Sequence, residues 1–344
     1  MNANLGFILA ILGGILMGSF SLPMNKIARW AWENTWLVWA LAALVVTPWV
    51  VALNTVPDLM SVYGRAGAGS VVKVFLFGFG WGLGAATFGR SIPLIGMCLA
   101  FALSIGLTLA LGSLVPLARK PELFATTGGI TVIVGVALML VGVAISAVAG
   151  RRKEAQTLAA ASAGQSVAMG QASSSGTFVK GLTLCVLSGL FNPMLNFAYD
   201  FGGAIKDAAV AGGASTSSAP DAIWAVALLG GFVSNAIFCS ILLIRNRTWS
   251  RYALASTGSY WFLAALMGVI WVVSLLIYGR AADLMGELGS SAGWAITMGC
   301  CILASNVWGI LTGEWRQARG KPFHTMIAGL ATILLAIAVI GYGR

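Results

Sequence analysis

The chain has 344 residues, 59% of them apolar and 9% charged, with a mean hydropathy of +0.91 and a net charge of +10. A soluble domain carries about 25% charged residues, so the charges here could not cover a water-soluble fold of this length, and lipid must solvate most of the surface. The positive balance fits basic loops facing the cytoplasm; no basic patch with interleaved aromatics reaches the length of a nucleic-acid site.

Ten runs reach the roughly 20 apolar residues that a membrane-spanning helix needs. They lie at about 5–25, 34–54, 71–91, 94–117, 128–149, 178–202, 222–244, 258–278, 292–313 and 324–342. The first lacks a basic stretch before it and reads as a retained helix rather than a cleaved signal. Between the first and second lies Trp30-Ala31-Trp32-Glu33-Asn34-Thr35-Trp36, one carboxylate among three indoles. Arg90-Ser91-Ile92-Pro93 alone splits the third from the fourth and implies a tight hairpin there. After the fifth run, residues 151–176 change to a basic start and an Ala/Ser/Gly/Gln-rich tract, the composition of a flexible linker. It divides the chain into 1–150 and 177–344, five segments each. Cys98, Cys185, Cys239, Cys300 and Cys301 all lie inside apolar runs, with no metal-ligand spacing, and read as small buried hydrophobes.

The halves align with each other. Leu16, Gly18, Phe20 and Asn25 match Leu187, Gly189, Phe191 and Asn196 at an offset of 171. Gly78, Trp81, Gly89, Arg90, Leu94 and Gly96 match Gly268, Trp271, Gly279, Arg280, Leu284 and Gly286 at an offset of 190. Because the unit has an odd number of spans, a second copy enters the membrane from the opposite side. The expectation is an all-α polytopic membrane protein of ten helices in two inverted five-helix repeats, the architecture of secondary transporters, with a site at the repeat interface. With the N-terminus outside, 13 of the 20 basic residues fall in cytoplasmic loops. This places both termini in the periplasm and the 151–176 linker in the cytoplasm.

Polar side chains within the spans are candidates for substrate contacts, because each is costly in lipid without a partner. They include Ser21, Asn25, Asn192, Asn196, Ser274 and Asn306. Asn192 and Asn196 are one turn apart, and Tyr199 and Asp200 extend the same face. Trp81 and Trp271 lie mid-span and are repeat mates. An indole in a polar cavity stacks on a sugar's apolar face while its N–H donates a hydrogen bond; filling the core is the other reading. Three acids near spans stand out: Glu33, Asp200 and Glu314. An intramembrane carboxylate is a functional candidate by default, and Glu33 and Asp200 are the candidates for carrying a proton. Glu33 could instead pair with Lys26 or Arg29 at a gate; Glu314 could pair with Arg316 or Arg319 or simply be solvated. His324 reads as interfacial. No constellation of His, acid and nucleophile points to an enzyme, and no metal or cofactor site is expected.

Several stretches together resemble the bacterial L-rhamnose–proton symporters of the drug/metabolite transporter superfamily. They are Trp30-Ala31-Trp32-Glu33 through Trp36; Val74 through Gly84, containing Phe79-Gly80-Trp81-Gly82-Leu83-Gly84; Leu94-Ile95-Gly96-Met97 to Leu111-Gly112; and Glu314-Trp315 with Ala318 and Pro322. The resemblance implies a ten-helix carrier of the bacterial inner membrane that takes up a sugar with protons, with Glu33, Trp81 and Glu314 held in common. Ala85-Ala86 and Gly289 to Trp294 depart from the family pattern, so another deoxyhexose or a related polyol fits as well as L-rhamnose. The expected partners are a small sugar, protons and lipid, with the chain a monomer. The rival readings are an exporter or exchanger of lipophilic or cationic metabolites, and a non-transporting membrane sensor.

Overall fold

Inside a bilayer every backbone N–H and C=O must find its partner within the protein. The computed structural model meets this demand with helices alone. Among the described residues, 2–95, 97–162, 175–316, 318 and 320–343, there is no strand.

Helix α1 (Ala3–Ser19) starts at Asn2, whose side chain accepts from Leu5 N at 3.2 Å. A 3-10 turn, Leu22–Lys26, follows. Helix α2 (Trp32–Leu41) continues through a π-turn (Ala42–Val46) into α3 (Thr47–Thr55). The short α4 (Leu59–Ala66) leads to α5 (Ala68–Ile95), α6 (Met97–Ala118) and α7 (Thr127–Ser162). Helix α8 (Ser175–Phe191) breaks at Asn192-Pro193 before α9 (Met194–Phe201) and α10 (Gly203–Ala211). Helices α11 (Pro220–Arg245) and α12 (Gly258–Leu284) follow. A π-turn (Gly289–Gly293) opens α13 (Trp294–Leu311), and α14 (Lys321–Tyr342) ends the chain.

Among the described residues nine helical stretches are long and apolar enough to cross a membrane, and Ala102–Ala118 in α6 is a shorter apolar helix. The hairpin expected at Arg90-Ser91-Ile92-Pro93 is not formed at those residues. Helix α5 carries through all four residues to Ile95, because an apolar helix in lipid keeps its backbone bonds as long as it can. Helix α7 likewise runs past Arg151 to Ser162; residues 163–174 of the expected linker lie outside the described residues.

Small residues set the packing. A Cβ on Gly78 would collide with the Ala227 carbonyl, and one on Gly230 with the Phe75 carbonyl, so α5 and α11 touch backbone to backbone. Contacts of Gly6, Gly13, Gly14 and Gly18 run α1 antiparallel to α12 and parallel to α13. Helix α8 is antiparallel to α5 and parallel to α6, as the contacts of Gly84 and Gly181 and the Ser104–Ser188 and Cys185–Ala100 bonds place it. Helices α7 and α14 run antiparallel, with Gly128 beside Gly343 and Gly142 beside Ile333 and Gly329. Away from these contacts, Leu5, Ile8, Leu12 and Ile15 form an exposed apolar stripe at helical spacing, the face α1 offers to lipid.

Candidate functional site

Trp32, Trp36 and Trp39 recur at i, i+4 and i+7, so α2 presents all three on one face. That face forms one wall of a cavity of about 700 Å³. The other walls are Trp81, Ala85, Phe88 and Arg90 of α5, Phe238, Leu242 and Arg245 of α11, Trp271 of α12, Phe20 beyond α1, and Asn192 at the α8–α9 break. The indoles form a continuous chain. Trp32 stacks on Trp36 at 4.9 Å, Trp36 meets Trp39 at 4.3 Å, Trp39 meets Trp271 edge-on at 5.4 Å, and Trp271 stacks on Trp81 at 5.2 Å. Trp36 Nε1 donates to Asn235 Oδ1 at 3.0 Å, and Asn235 Nδ2 donates to the Gly231 carbonyl at 2.8 Å, which fixes that ring. The Asn192 amide donates to Ser188 Oγ at 2.9 Å and, more weakly, to Ser104 Oγ at 3.4 Å.

One end of this cavity is sealed. Along α8 and α9, Asn192 lines the cavity, Asn196 is fully buried, and Asp200 faces a separate surface cleft of about 560 Å³. Along α12 the same order holds for Trp271, Tyr278 and Asp283. The middle layer is a plug. Asn196 donates to the carbonyls of Gly112 (2.7 Å) and Ser290 (2.9 Å) and accepts from Tyr278, while Tyr199 stacks on Trp224 at 5.6 Å. Beyond it lie charges. Asp200 pairs with Arg119 and accepts from Ser290 Oγ at 2.9 Å; Asp283 pairs with Lys206 and accepts from Tyr199 Oη at 2.7 Å. Asp283 Oδ2 is buried with no hydrogen-bond partner among the described residues. Nearby, Asp221, 1% exposed, accepts from Thr55 Oγ1 at 3.0 Å and pairs with Arg280 at 3.3 Å.

The other end is held differently. Glu33, 5% exposed, is the second residue of α2. Its Oε1 accepts from Thr248 Oγ1 at 2.7 Å and Asn246 Nδ2 at 3.0 Å, both on the loop after α11. Asn34 Nδ2 donates to the Thr248 carbonyl at 3.0 Å, and Tyr252 Oη to the Asn34 carbonyl at 3.0 Å. Burial pushes the Tyr252 hydroxyl up to about 12, so it stays a donor.

Of the residues read from the sequence, the structure brings Trp81, Trp271 and Asn192 to one cavity. Asn196 belongs to the plug, and Ser274 is buried with its hydroxyl on the Trp271 carbonyl at 2.5 Å. Ser21 and Asn25 are exposed. Asn306 donates to Ile302 O at 2.8 Å and lines a smaller cavity of about 280 Å³ together with Glu314. The expected pairing of Glu33 with Lys26 or Arg29 is not formed among the described residues. Arg29 donates to the Ala255 carbonyl at 2.8 Å, Lys26 is exposed, and Glu33 bonds the neutral side chains that close over it. Glu314 meets Lys153 at 4.0 Å instead of Arg316, because α7 extends far enough to bring Lys153 over Trp315 at 4.7 Å; Arg319 lies outside the described residues. The spans read from the sequence, 222–244 and 258–278, stop short of Asp221 and Asp283, both of which lie within helices. It also left Trp36, Trp39, Arg90, Phe238 and Arg245 out of the site; the i, i+4, i+7 spacing of Trp32, Trp36 and Trp39 was the available signal.

A family model described as L-rhamnose-proton symport protein matches residues 1–344. The chain belongs to that family. The L-rhamnose-proton symporter of Cronobacter sakazakii is 30% identical over 99% of this chain and 97% of its own length. Those of Yersinia pestis (strain Pestoides F) and Yersinia pseudotuberculosis (strain YPIII) are each 28% identical over 98% of this chain and 97% of theirs. Membership of the L-rhamnose-proton symport family agrees with the resemblance carried by the Trp30–Trp36 and Val74–Gly84 stretches, both of which supply walls of the indole cavity.

Proposed function

We propose that the chain is a secondary active transporter that takes up a 6-deoxyhexose, L-rhamnose or a similar sugar, together with protons by alternating access. The observation that carries this reading is the indole-walled cavity, accessible from one side and sealed on the other by the Asn196–Tyr278 plug. Indole faces suit the apolar face and methyl group of a deoxy sugar, and Asn192 is placed to meet hydroxyls. Among the described residues the charged ones lining the cavity are Arg90 and Arg245, which disfavours a cationic cargo.

The alternation rests on ten spans in two inverted repeats, 1–150 and 177–344, and several features support that reading. Exchanging each span for the one five places on turns the α1–α12 and α1–α13 packing into α8–α5 and α8–α6, with the same relative directions. The break after α1 and the break after α8 fall at equivalent positions. Helices α7 and α14, equivalent fifth spans, are antiparallel. Arg90 and Arg245 then lie on the cytoplasmic side and the Asp200 cleft on the periplasmic side, in a protein of the bacterial inner membrane with both termini periplasmic. Glu33 carries the proton in this scheme. A proton bound for the cytoplasm must leave from the cytoplasmic side, and Asp200 lies beyond the plug. Protonation turns the Glu33 acceptor oxygens partly into a donor and loosens the hold on Thr248 and Asn246.

Proteoliposomes with an imposed inward proton gradient are expected to accumulate labelled L-rhamnose or another 6-deoxyhexose. Equal accumulation with and without the gradient would sink the proton coupling, and uphill uptake by Glu33→Gln would remove Glu33 from the role.

A further inference from the structure

Glu33 and Asp221 occupy equivalent places. Each is the second residue of its helix, α2 and α11, the second spans of the two halves. Each accepts from a threonine just beyond or at the far end of the partner span. Thr248, after α11, donates to Glu33 at 2.7 Å, and Thr55, at the end of α3, donates to Asp221 at 3.0 Å. Arg90 and Arg280 are equivalent too, at the offset of 190 that aligns α5 with α12. At the sealed end the acid and the arginine are joined, Asp221 to Arg280 at 3.3 Å. At the open end they are apart. Arg90 is exposed on the cavity wall over the Phe238 ring at 5.7 Å and meets no carboxylate among the described residues, and Glu33 bonds Asn246 and Thr248.

We infer that Glu33 and Arg90 are the two halves of a gate that closes the cytoplasmic mouth when the protein opens to the other side, and that Asp221 and Arg280 separate in the same movement. In an inverted repeat the two conformations are the two halves with their roles exchanged. The contact formed by one half in this state is then the contact formed by the other half in the opposite state. Closing brings the end of α5 toward the start of α2 across Phe238, with Arg90 displacing the hydrogen bonds of the α11–α12 loop. The groups that face Glu33 now are Asn246, Thr248, Cys239, Tyr252 and the charge of Arg251. Only Arg251 among them is cationic, and it stays on the loop that moves away. A proton on Glu33 prevents the pair from forming, so the proposed proton site and the gate are one carboxylate.

This inference rests on the alternating-access reading above, and the test separates the two. Cysteine pairs replace Glu33 with Arg90, and Asp221 with Arg280, in a background free of other cysteines. They are cross-linked in membranes with a short bifunctional thiol reagent. The 221/280 pair is expected to link in the resting protein. The 33/90 pair is expected to link about tenfold more once Asp200→Asn and Asp283→Asn weaken the sealed end. A charge exchange, Glu33→Arg with Arg90→Glu, is expected to recover sugar counterflow, a readout that needs no proton gradient, which each single change lowers by about tenfold. If the wild-type protein transports, the 221/280 pair links, and the 33/90 pair never does, the gate is overturned while the transport reading stands. If the wild-type protein moves no sugar in either direction, the transport reading itself fails.

Discussion

The two ends of the cavity are held shut or open by different chemistry. The sealed end joins Asp200 to Arg119, Asp283 to Lys206 and Asp221 to Arg280, over a plug of satisfied polar and aromatic side chains. The open end leaves Arg90 and Arg245 on the cavity wall and satisfies Glu33 with neutral donors. A buried carboxylate must be compensated in either case. A cation spanning two helices ties those helices together, whereas two donors on one loop hold only that loop. The difference therefore lies in what each acid is anchored to, and the following changes would disturb it in decreasing order.

The largest effect is expected at the indoles that floor the cavity. Trp271→Ala removes the ring that joins Trp81 to Trp39 and should cost about 4 kcal/mol of stability. It is read as a lowered thermal unfolding temperature in detergent together with weakened sugar binding, while Trp271→Phe should keep most of the first and little of the second. Next is Asp221→Asn at the sealed end. It strands Arg280 and should weaken closure by about 3 kcal/mol. A thiol reagent confined to the side of the Asp200 cleft should then label Ile223→Cys, whose position is 1% exposed while the end is sealed. Thr248→Val at the open end removes one of the two bonds to Glu33 and should cost about 1 kcal/mol. The expected readout is uptake that is less dependent on the proton gradient. Unchanged gradient dependence would mean that the loop does not sense the Glu33 charge. The smallest effect is expected for Arg119→Gln. Its side chain is 45% exposed, and Asp200, at 8%, keeps the Ser290 hydroxyl as a donor, so the loss should stay below about 1 kcal/mol.

The same contrast marks what could be read from the sequence. The membrane class, the helices and the family were legible because apolar run length and the Trp30–Trp36 and Val74–Gly84 stretches are local features. Asn192 and Asn196 read as one helix face, but the helix breaks at Asn192-Pro193 between them. That one lines the cavity and the other is sealed in a plug depends on Tyr278, Gly112 and Ser290, brought from three distant segments. Asp221 and Asp283 were hidden by their position near span ends, where acids are ordinarily solvated. Arg90 was visible as a loop residue only because Pro93 suggested a turn that α5 does not make there. Glu33 was recognised as unusual, but its partners lie more than 200 positions away and no spacing rule reaches them.

The π-turn at Ala42–Val46 has a consequence for phase. A π-turn carries one residue more than the α-helical turn it replaces, and one residue is about 100° of rotation. The Trp32, Trp36 and Trp39 face and the Thr55 hydroxyl on Asp221 lie on opposite sides of that surplus residue. Deleting Ala43 would turn α3 by that angle relative to α2. The indoles could then keep their cavity only if Thr55 swung away from Asp221, so this one extra residue lets a single span serve both ends of the cavity in register.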